Sequence, residues 1–304
     1  MDLIDFKTSL IDSINLKLDD GVEVTERSVL KNNSVVVNTL VLFDEDALCA
    51  PSFGLDSLFE RYTNGESIDA ISSYIINYYN ENVGKEESMD IDLSYPKLKD
   101  RIVSKVISKE KNKEFLQNIP HKEILDLAKV YYVIFGTDDG GMKTTMVNDV
   151  MINYWSGWNI TVKKLDRLAD KNENIIMTPK ITTMQDTLIM LCQNEPYDPP
   201  IELLEMVADS QMYVISNKYD TLGAGAVFNP SVIEKLKNIY RDDFYMFPSS
   251  IHEVITMRID KGKNESDLKK LVEYINSGYV KEKDILSDKV YKFNYLKDKF
   301  EIVK

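Results

Sequence analysis

The stretch FPSSIHEVI, residues 247–255, sets Ser249, Ser250, His252 and Glu253 close together and carries one of only two histidines in the 304-residue chain. A hydroxyl, an imidazole and a carboxylate are the parts of a nucleophilic site, in which the base takes the hydroxyl proton and the acid orients the base. The spacing works against that chemistry. If IHEVIT is a strand, side chains alternate faces, so Ser250 and His252 share one face and Glu253 points to the other. Residues two apart on a strand also stand about 7 Å apart at Cα, long for direct proton transfer. In a helical alternative, Ser250 and Glu253 form a capping box after Pro248. Either way the segment turns the chain. Ser249, Ser250, His252 and Glu253 are the candidate polar pocket, able to receive a small anion, and no catalytic residue is assigned.

Other chemistries find less support. His121 follows Pro120 and reads as a satisfied histidine at the start of an element. Two histidines with only Cys49 and Cys192 give neither HExxH nor CxxC, so zinc hydrolases and zinc fingers are disfavoured. A carboxylate-held Mg²⁺ or Mn²⁺ has no tight spacing and stays open, but no metal or cofactor is assigned. TDDGG (137–141) is too short for an EF-hand loop and suits a hairpin turn. GAGAVF (223–228) contains GxG, yet it leads into a β-like run and lacks a third glycine, which disfavours a dinucleotide site. No GxxxxGK[ST] occurs. Lys99, Arg101, Lys105, Lys109, Lys111 and Lys113 form a basic cluster, diluted by Asp100, Glu110 and Glu114 into a solvated face. Tyr74, Tyr78 and Tyr79 read as residues packing a helix against a sheet.

These residues must be positioned by elements the patterning predicts. Leu3, Phe6, Leu10, Ile14 and Leu18 recur at helical steps, and Gly21 ends that helix. VEVTERSVL and VVVNTLVLF flank the turn KNNS as a hairpin. Residues 56–84 read as two helices broken at Asn64-Gly65, and KEESMDIDLSYPK as a linker. RIVSKVIS and LDLAKVYYVIF read as strands, with a short helix KNKEFLQN ended by Pro120 between them. Asn148 to Asn174 reads as a helix pair jointed at Gly157, with Thr161 as a cap and Leu165, Leu168 and Ala169 inward. MYVIS and GAGAVF are predicted as hairpin strands, PSVIEKLKNIY as a helix and DFYMF as a strand. SDLKKLVEYI is predicted as a helix, and VYKFN and KFEIV as closing strands. Strand pairs mixed with helices, lacking regular βαβ alternation, predict an α+β fold with mixed or antiparallel sheets and packed helices, in two sub-domains, 1–95 and 96–304.

Apolar content of 43% and charged content of 29% describe a globular chain. The acidic start lacks the positive charge of a secretion signal, and no apolar run approaches a membrane span, so a cytoplasmic location without membrane contact is expected. Net charge is −13 and uneven: residues 1–100 hold 20 Asp/Glu against 8 Lys/Arg, residues 101–200 hold 13 against 13, and the remainder 17 against 16. An acidic segment repels nucleic acid and attracts basic partners.

Several stretches together resemble a bacterial domain-of-unknown-function family, numbered 5688, that occurs in gut anaerobes, often near mobile elements. They are DRIVSKVISKEKNKEFLQNIPHKEILDLAKVYY (100–132), MYVISNKYDTLGAGAVF (212–228), FPSSIHEVI (247–255) and DILSDKVY (284–291). The segment VNDVMINYWSGWNITVKKLDRLADKN matches a two-helix pattern of the family, with SGW as a departure. The resemblance implies an α+β fold and brings no activity with it. The expectation is therefore a non-enzymatic binding or accessory factor, encoded by a mobile element or phage, whose acidic N-terminal face meets a basic host protein. The alternative is an enzyme of unrecognised type around residues 249–253.

Overall fold

The computed structural model describes residues 1–18, 21–44, 50–82, 92–138, 141–194, 211–248, 250–259, 266, 268–270, 272–273, 276 and 280–303. They fall into two compact units, Met1–Asp92 and Leu93–Lys304.

The first unit opens with helix α1 (Leu3–Asn15), where the Asp2 side chain accepts from the Asp5 N–H and satisfies one of the orphan donors of the first turn. Its stripe of Phe6, Leu10 and Ile14 is fully buried. Strands β1 (Val22–Leu30) and β2 (Val36–Asp44) pair antiparallel in the expected hairpin, and β3 (Ser52–Gly54) adds to β2. The hairpin turn is made by Asn33 and Ser34, both with left-handed backbone, which asparagine tolerates better than most residues. Helices α2 (Leu55–Thr63) and α3 (Ile68–Asn82) are separated at Gly65, whose φ of +100° is cheap only for glycine. Leu40, Leu42, Leu55, Leu58, Ile71 and Ile75 complete one core with the α1 stripe; burying each such side chain stabilises by about 1.5–3 kcal/mol.

The second unit begins with α4 (Tyr95–Leu98), carrying Pro96 in its first turn, where a missing N–H costs little. The linker expected over residues 85–97 is thus partly helical; Lys85–Ile91 lie outside the described residues. A sheet follows, built on the long strand β6 (Leu127–Asp138). Strand β4 (Ile102–Ser108) pairs along one edge, while β5 (His121–Ile124) and β7 (Gly141–Met146) share the other. Ile102 and Tyr131 pack on one face, Val103 and Tyr132 on the other. Burial on both faces explains why these strands read as nearly unbroken apolar runs. The predicted short helix before Pro120 is a single 3-10 turn, Phe115–Asn118. Asp138 and Gly141 pair across the turn expected at TDDGG, whose Asp139 and Gly140 lie outside the described residues.

Helices α5 (Asp149–Tyr154) and α6 (Val162–Ile176) are capped by Asn148 and Thr161, which accept from the N–H groups of Met151 and Lys164. After β8 (Pro179–Thr183) and α7 (Met184–Asn194), strands β9 (Met212–Asn217), β10 (Phe244–Phe247), β11 (Val254–Arg258), β12 (Tyr291–Asn294) and β13 (Lys299–Ile302) complete a sheet ordered β13-β12-β10-β11-β9-β8. Helix α8 (Pro230–Tyr240) packs Val232, Leu236 and Tyr240 into the same core as Phe244 and Phe293. Every pairing among the described strands is antiparallel, and the chain is α+β. One strand expectation fails: GAGAVF is a 3-10 turn, Ala224–Phe228, and β9 pairs instead with β8 and β11. The reason is tertiary. Gly223 and Ala224 donate their N–H groups to the carbonyls of His252 and Ile251, which holds the chain against the β10–β11 loop instead of beside a strand.

Candidate functional site

Pro248 to Glu253 connect β10 to β11, so FPSSIHEVI is a hairpin with a loop at its centre. Ser250 to Glu253 are neither strand nor capping box. The Ser250 N–H donates to the Glu253 carbonyl (3.2 Å), and the His252 N–H donates to Ser250 Oγ (3.0 Å). Ser250 is buried and its hydroxyl serves the backbone of the turn. Ser249 lies outside the described residues.

His252 is held from three directions. Its Nδ1 accepts the Leu222 N–H (3.2 Å), so in the neutral ring the proton sits on Nε2, which faces Asp284 Oδ1 at 3.4 Å. Its carbonyl accepts from the Gly223 N–H (2.9 Å) and from Ser216 Oγ (2.8 Å). The neighbouring Ile251 N–H donates to the Asp284 carbonyl (2.8 Å). Gly223 is required by closeness: a Cβ there would stand 2.7 Å from Asn217 N and 2.8 Å from the His252 oxygen, besides striking Ser216 Oγ. The Glu253 side chain does not meet the imidazole. It lies by Asp220 and Lys180, and burial first, then Asp220, raise its pKa while Lys180 opposes them. The acid that meets the imidazole is Asp284, over thirty residues away in sequence, and the serine that turns the loop bonds a backbone N–H. Geometry for passing a proton from Ser250 to His252 is not what these bonds describe.

A second polar cluster, which spacing alone did not reveal, lies between α6 and the β4–β6 sheet. Asp166, Asp170 and Glu173 fall at i, i+4 and i+7 on α6, one stripe of three carboxylates. Facing them, Lys129 on β6 is buried, with Nζ 2.9 Å from Asp166 Oδ1 and 2.6 Å from Asp170 Oδ1. Lys122 stands directly across from Lys129 in the β5–β6 register, a like-charge pair that would repel. Asp166 bridges the two, its Oδ2 2.7 Å from Lys122 Nζ. Buried Glu173 accepts from Ser104 N (2.7 Å) and Ser104 Oγ (2.5 Å). Loss of hydration raises the Glu173 pKa, with Lys129 and Ser104 acting against it. For Asp166 burial pushes up, but Lys122 and Lys129 together win and hold it below the ordinary carboxylate range. Three acids on one helical face would suit a cation; here the cation is Lys129. Among the described residues no group of three or more His, Cys, Asp and Glu is placed to hold a metal ion.

His121 opens β5 with Nδ1 2.7 Å from the Ile119 carbonyl, a satisfied histidine. Cys192 is exposed and Cys49 lies outside the described residues. No described helix is long and apolar enough to cross a membrane.

The three tyrosines of α3 divide. Tyr79 is buried, as packing predicts, but Tyr74 is 44% and Tyr78 37% exposed. The Phe53 ring meets both at near-perpendicular angles, with centroids 6.3 and 5.5 Å away. Ala70, Ser73, Tyr74, Asn77, Tyr78 and Glu81 line a cleft of about 350 Å³. Their i, i+3, i+4 spacing was visible in the sequence; that the stripe faces outward was not.

A family model described as "Family of unknown function (DUF5688)" matches residues 3–295. The chain belongs to this family. The match takes in the acidic N-terminal unit as well, which holds none of the quoted motifs. No curated protein and no solved structure matches the chain. In this DUF5688 protein the motifs that carry the resemblance are the segments that meet in space. Residues 212–228, 247–255 and 284–291 supply Ser216 with Leu222 and Gly223, then Ser250 with His252, then Asp284. The fourth, 100–132, joins through Asp126, which accepts from Ser287 Oγ (2.9 Å) and from the Tyr291 hydroxyl.

Proposed function

We propose that this protein is a non-enzymatic binding factor that engages a basic partner protein through the unit Met1–Asp92. One observation carries the reading. Residues 1–92 hold 19 Asp/Glu against 6 Lys/Arg, and residues 93–304 hold 31 against 31, so the chain's whole excess of −13 resides in the first unit. Several of its few cations are already engaged within the chain: Lys7 with Glu26, Lys17 with Asp69 and Arg61 with Glu66. The field this unit offers outward is therefore negative, which repels nucleic acid and steers positively charged proteins. The finer setting in this proposal is an accessory factor of a mobile element or phage that occupies the nucleic-acid-binding surface of a host protein.

The test is cross-linking of the full chain to its partners in lysate, followed by mass spectrometry, across a salt series. Cross-links on residues 1–92 and capture that declines steeply as the Debye length shrinks from about 30 Å to about 8 Å are expected. Capture indifferent to salt, or cross-links confined to the neutral unit, sinks the reading. The second reading, an enzyme, draws on the approach of Asp284 to His252. It requires His252→Ala and Ser250→Ala to abolish a turnover that substrate screening first detects, whereas the binding reading allows them only a loss of stability.

A further inference from the structure

We propose that the open edge of β1 is where that basic partner docks: an extended segment of the partner adds to the sheet beside β1, with a lysine or arginine opposite Glu23. The proposal rests on the reading of the acidic unit as a binding face and names its surface and its mode.

Strand β1 is nine residues long and stands at the end of the order β1-β2-β3. Among the described residues, only β2 bonds to its backbone. In an antiparallel pair every second residue turns its N–H and C=O away from the neighbour. The outer edge of β1 is therefore a row of open donors and acceptors, ready to pair with another chain. None of residues 22–29 is buried, whereas Leu40, Val41 and Leu42 of the neighbouring strand are. The chain closes a comparable edge elsewhere: on β4, the Ser104 N–H is taken by Glu173 and the Ile102 carbonyl by Asn172, both from α6. At the far end of the first sheet β3 has only three residues and offers little to pair with. A long edge left open where others are short or closed is what strand addition uses, with main-chain bonds for affinity and alternate side chains for choice of partner.

The charges on β1 select the occupant. Glu26 is engaged by Lys7 at 2.8 Å, but exposed Glu23 forms no ion pair among the described residues. Glu23 and Arg27, four residues apart, share a face of the sheet, and Arg27 lies over the Phe43 ring, 6.0 Å from its centroid. A strand with a cation opposite Glu23 and none opposite Arg27 gains an attractive pair and avoids a repulsive one. The negative excess of the unit favours such a cationic segment over a second copy of β1, which would bring the same excess with it.

The experiment measures, by anisotropy at low salt, binding to the full chain of a fluorescent threonine-rich peptide that ends in a pair of lysines and matches β1 in length. A second peptide of the same sequence is N-methylated at alternate residues, which keeps its charge and removes the donors a strand edge needs. Glu23→Lys is set against Asp12→Lys, the same charge reversal on α1 of the same unit, and thermal melting verifies that both fold. Support would be an N-methylated peptide about tenfold weaker than the plain one, and binding weakened severalfold by Glu23→Lys and less by Asp12→Lys. The amides of β1 should also gain exchange protection when the plain peptide binds. Equal binding of the two peptides, or equal losses in the two variants with no protection gained on β1, overturns the edge proposal while the acidic-unit reading stands. No binding of either peptide at low salt also overturns the edge proposal, and the cross-linking series then decides the acidic-unit reading separately. A dimer that protects β1 as protein concentration rises, with no peptide present, overturns it too, because the occupant would be a second copy.

Discussion

The two units treat polar side chains in opposite ways. Around His252 and Lys129 in the second unit, hydroxyls, carboxylates and ammonium groups point inward and are consumed by backbone groups and by one another. On α3 of the first unit, two tyrosines and a glutamate are exposed over a core of aliphatic and aromatic side chains. A polar cluster that looks reactive in sequence can be structural when its partners saturate it. A tyrosine run that looks like packing can instead be a surface. Exposure and saturation, more than residue type, separate the two.

The sharpest way to break this contrast is to remove Lys129. Lys129→Ala leaves buried Glu173 and the partly exposed Asp166 and Asp170 gathered without the cation they share, and a loss of about 3 kcal/mol is expected in chemical unfolding. A loss under about 1 kcal/mol, on the scale of an exposed pair, would show that the cluster is wetter and less structural than argued. Next in size is Gly223→Ala. Two of the three atoms that meet the new methyl belong to backbone, so the loop between β9 and α8 must shift away from His252, at about 1–3 kcal/mol. The check is the unfolding midpoint, together with loss of amide-exchange protection at Gly223 and Ala224. An unchanged midpoint would mean the knot is loose enough to act as a mobile site.

The smallest effect sharpens the comparison at Glu253. Its carboxyl pKa is raised in the folded protein by burial and by Asp220, so the folded chain holds that proton more tightly than the unfolded chain. Its contribution is full below the ordinary carboxylate range and is lost as pH rises through the raised value, which makes ionised Glu253 a cost at neutral pH. Glu253→Gln should therefore leave stability equal or up to about 0.5 kcal/mol higher at neutral pH, with the difference vanishing in acid, as Tm measured across pH would report. A loss at neutral pH would mean that the ionised form is stabilised in the fold, with Lys180 as its partner.

Much of the fold was legible because local rules and tertiary packing agree. The α1 stripe, the Asn33–Ser34 turn, the break at Gly65 and the caps at Asn148 and Thr161 are set by periodicity, left-handed backbone or short-range hydrogen bonds, all written within a few residues. GAGAVF misled because its apolar pattern carries no trace of the His252 carbonyl that holds it. For the candidate site, strand alternation already set Glu253 away from His252, but nothing local named Asp284, which the fold brings to the imidazole instead. The Lys129 cluster escaped notice because its members come from α6, β4, β5 and β6, and a lysine inside a β-run has no local signature.

What the sequence alone determined is the character of each segment: which stretches bury a face, where the chain turns, and that the negative charge lies at the amino end. Those properties depend on neighbours within a turn or two. Tertiary structure alone decided which groups are saturated inside and which stay exposed, because saturation depends on partners brought together from distant positions. It placed Asp284 beside His252, put Lys129 among three carboxylates, and left Tyr74 and Tyr78 at the surface.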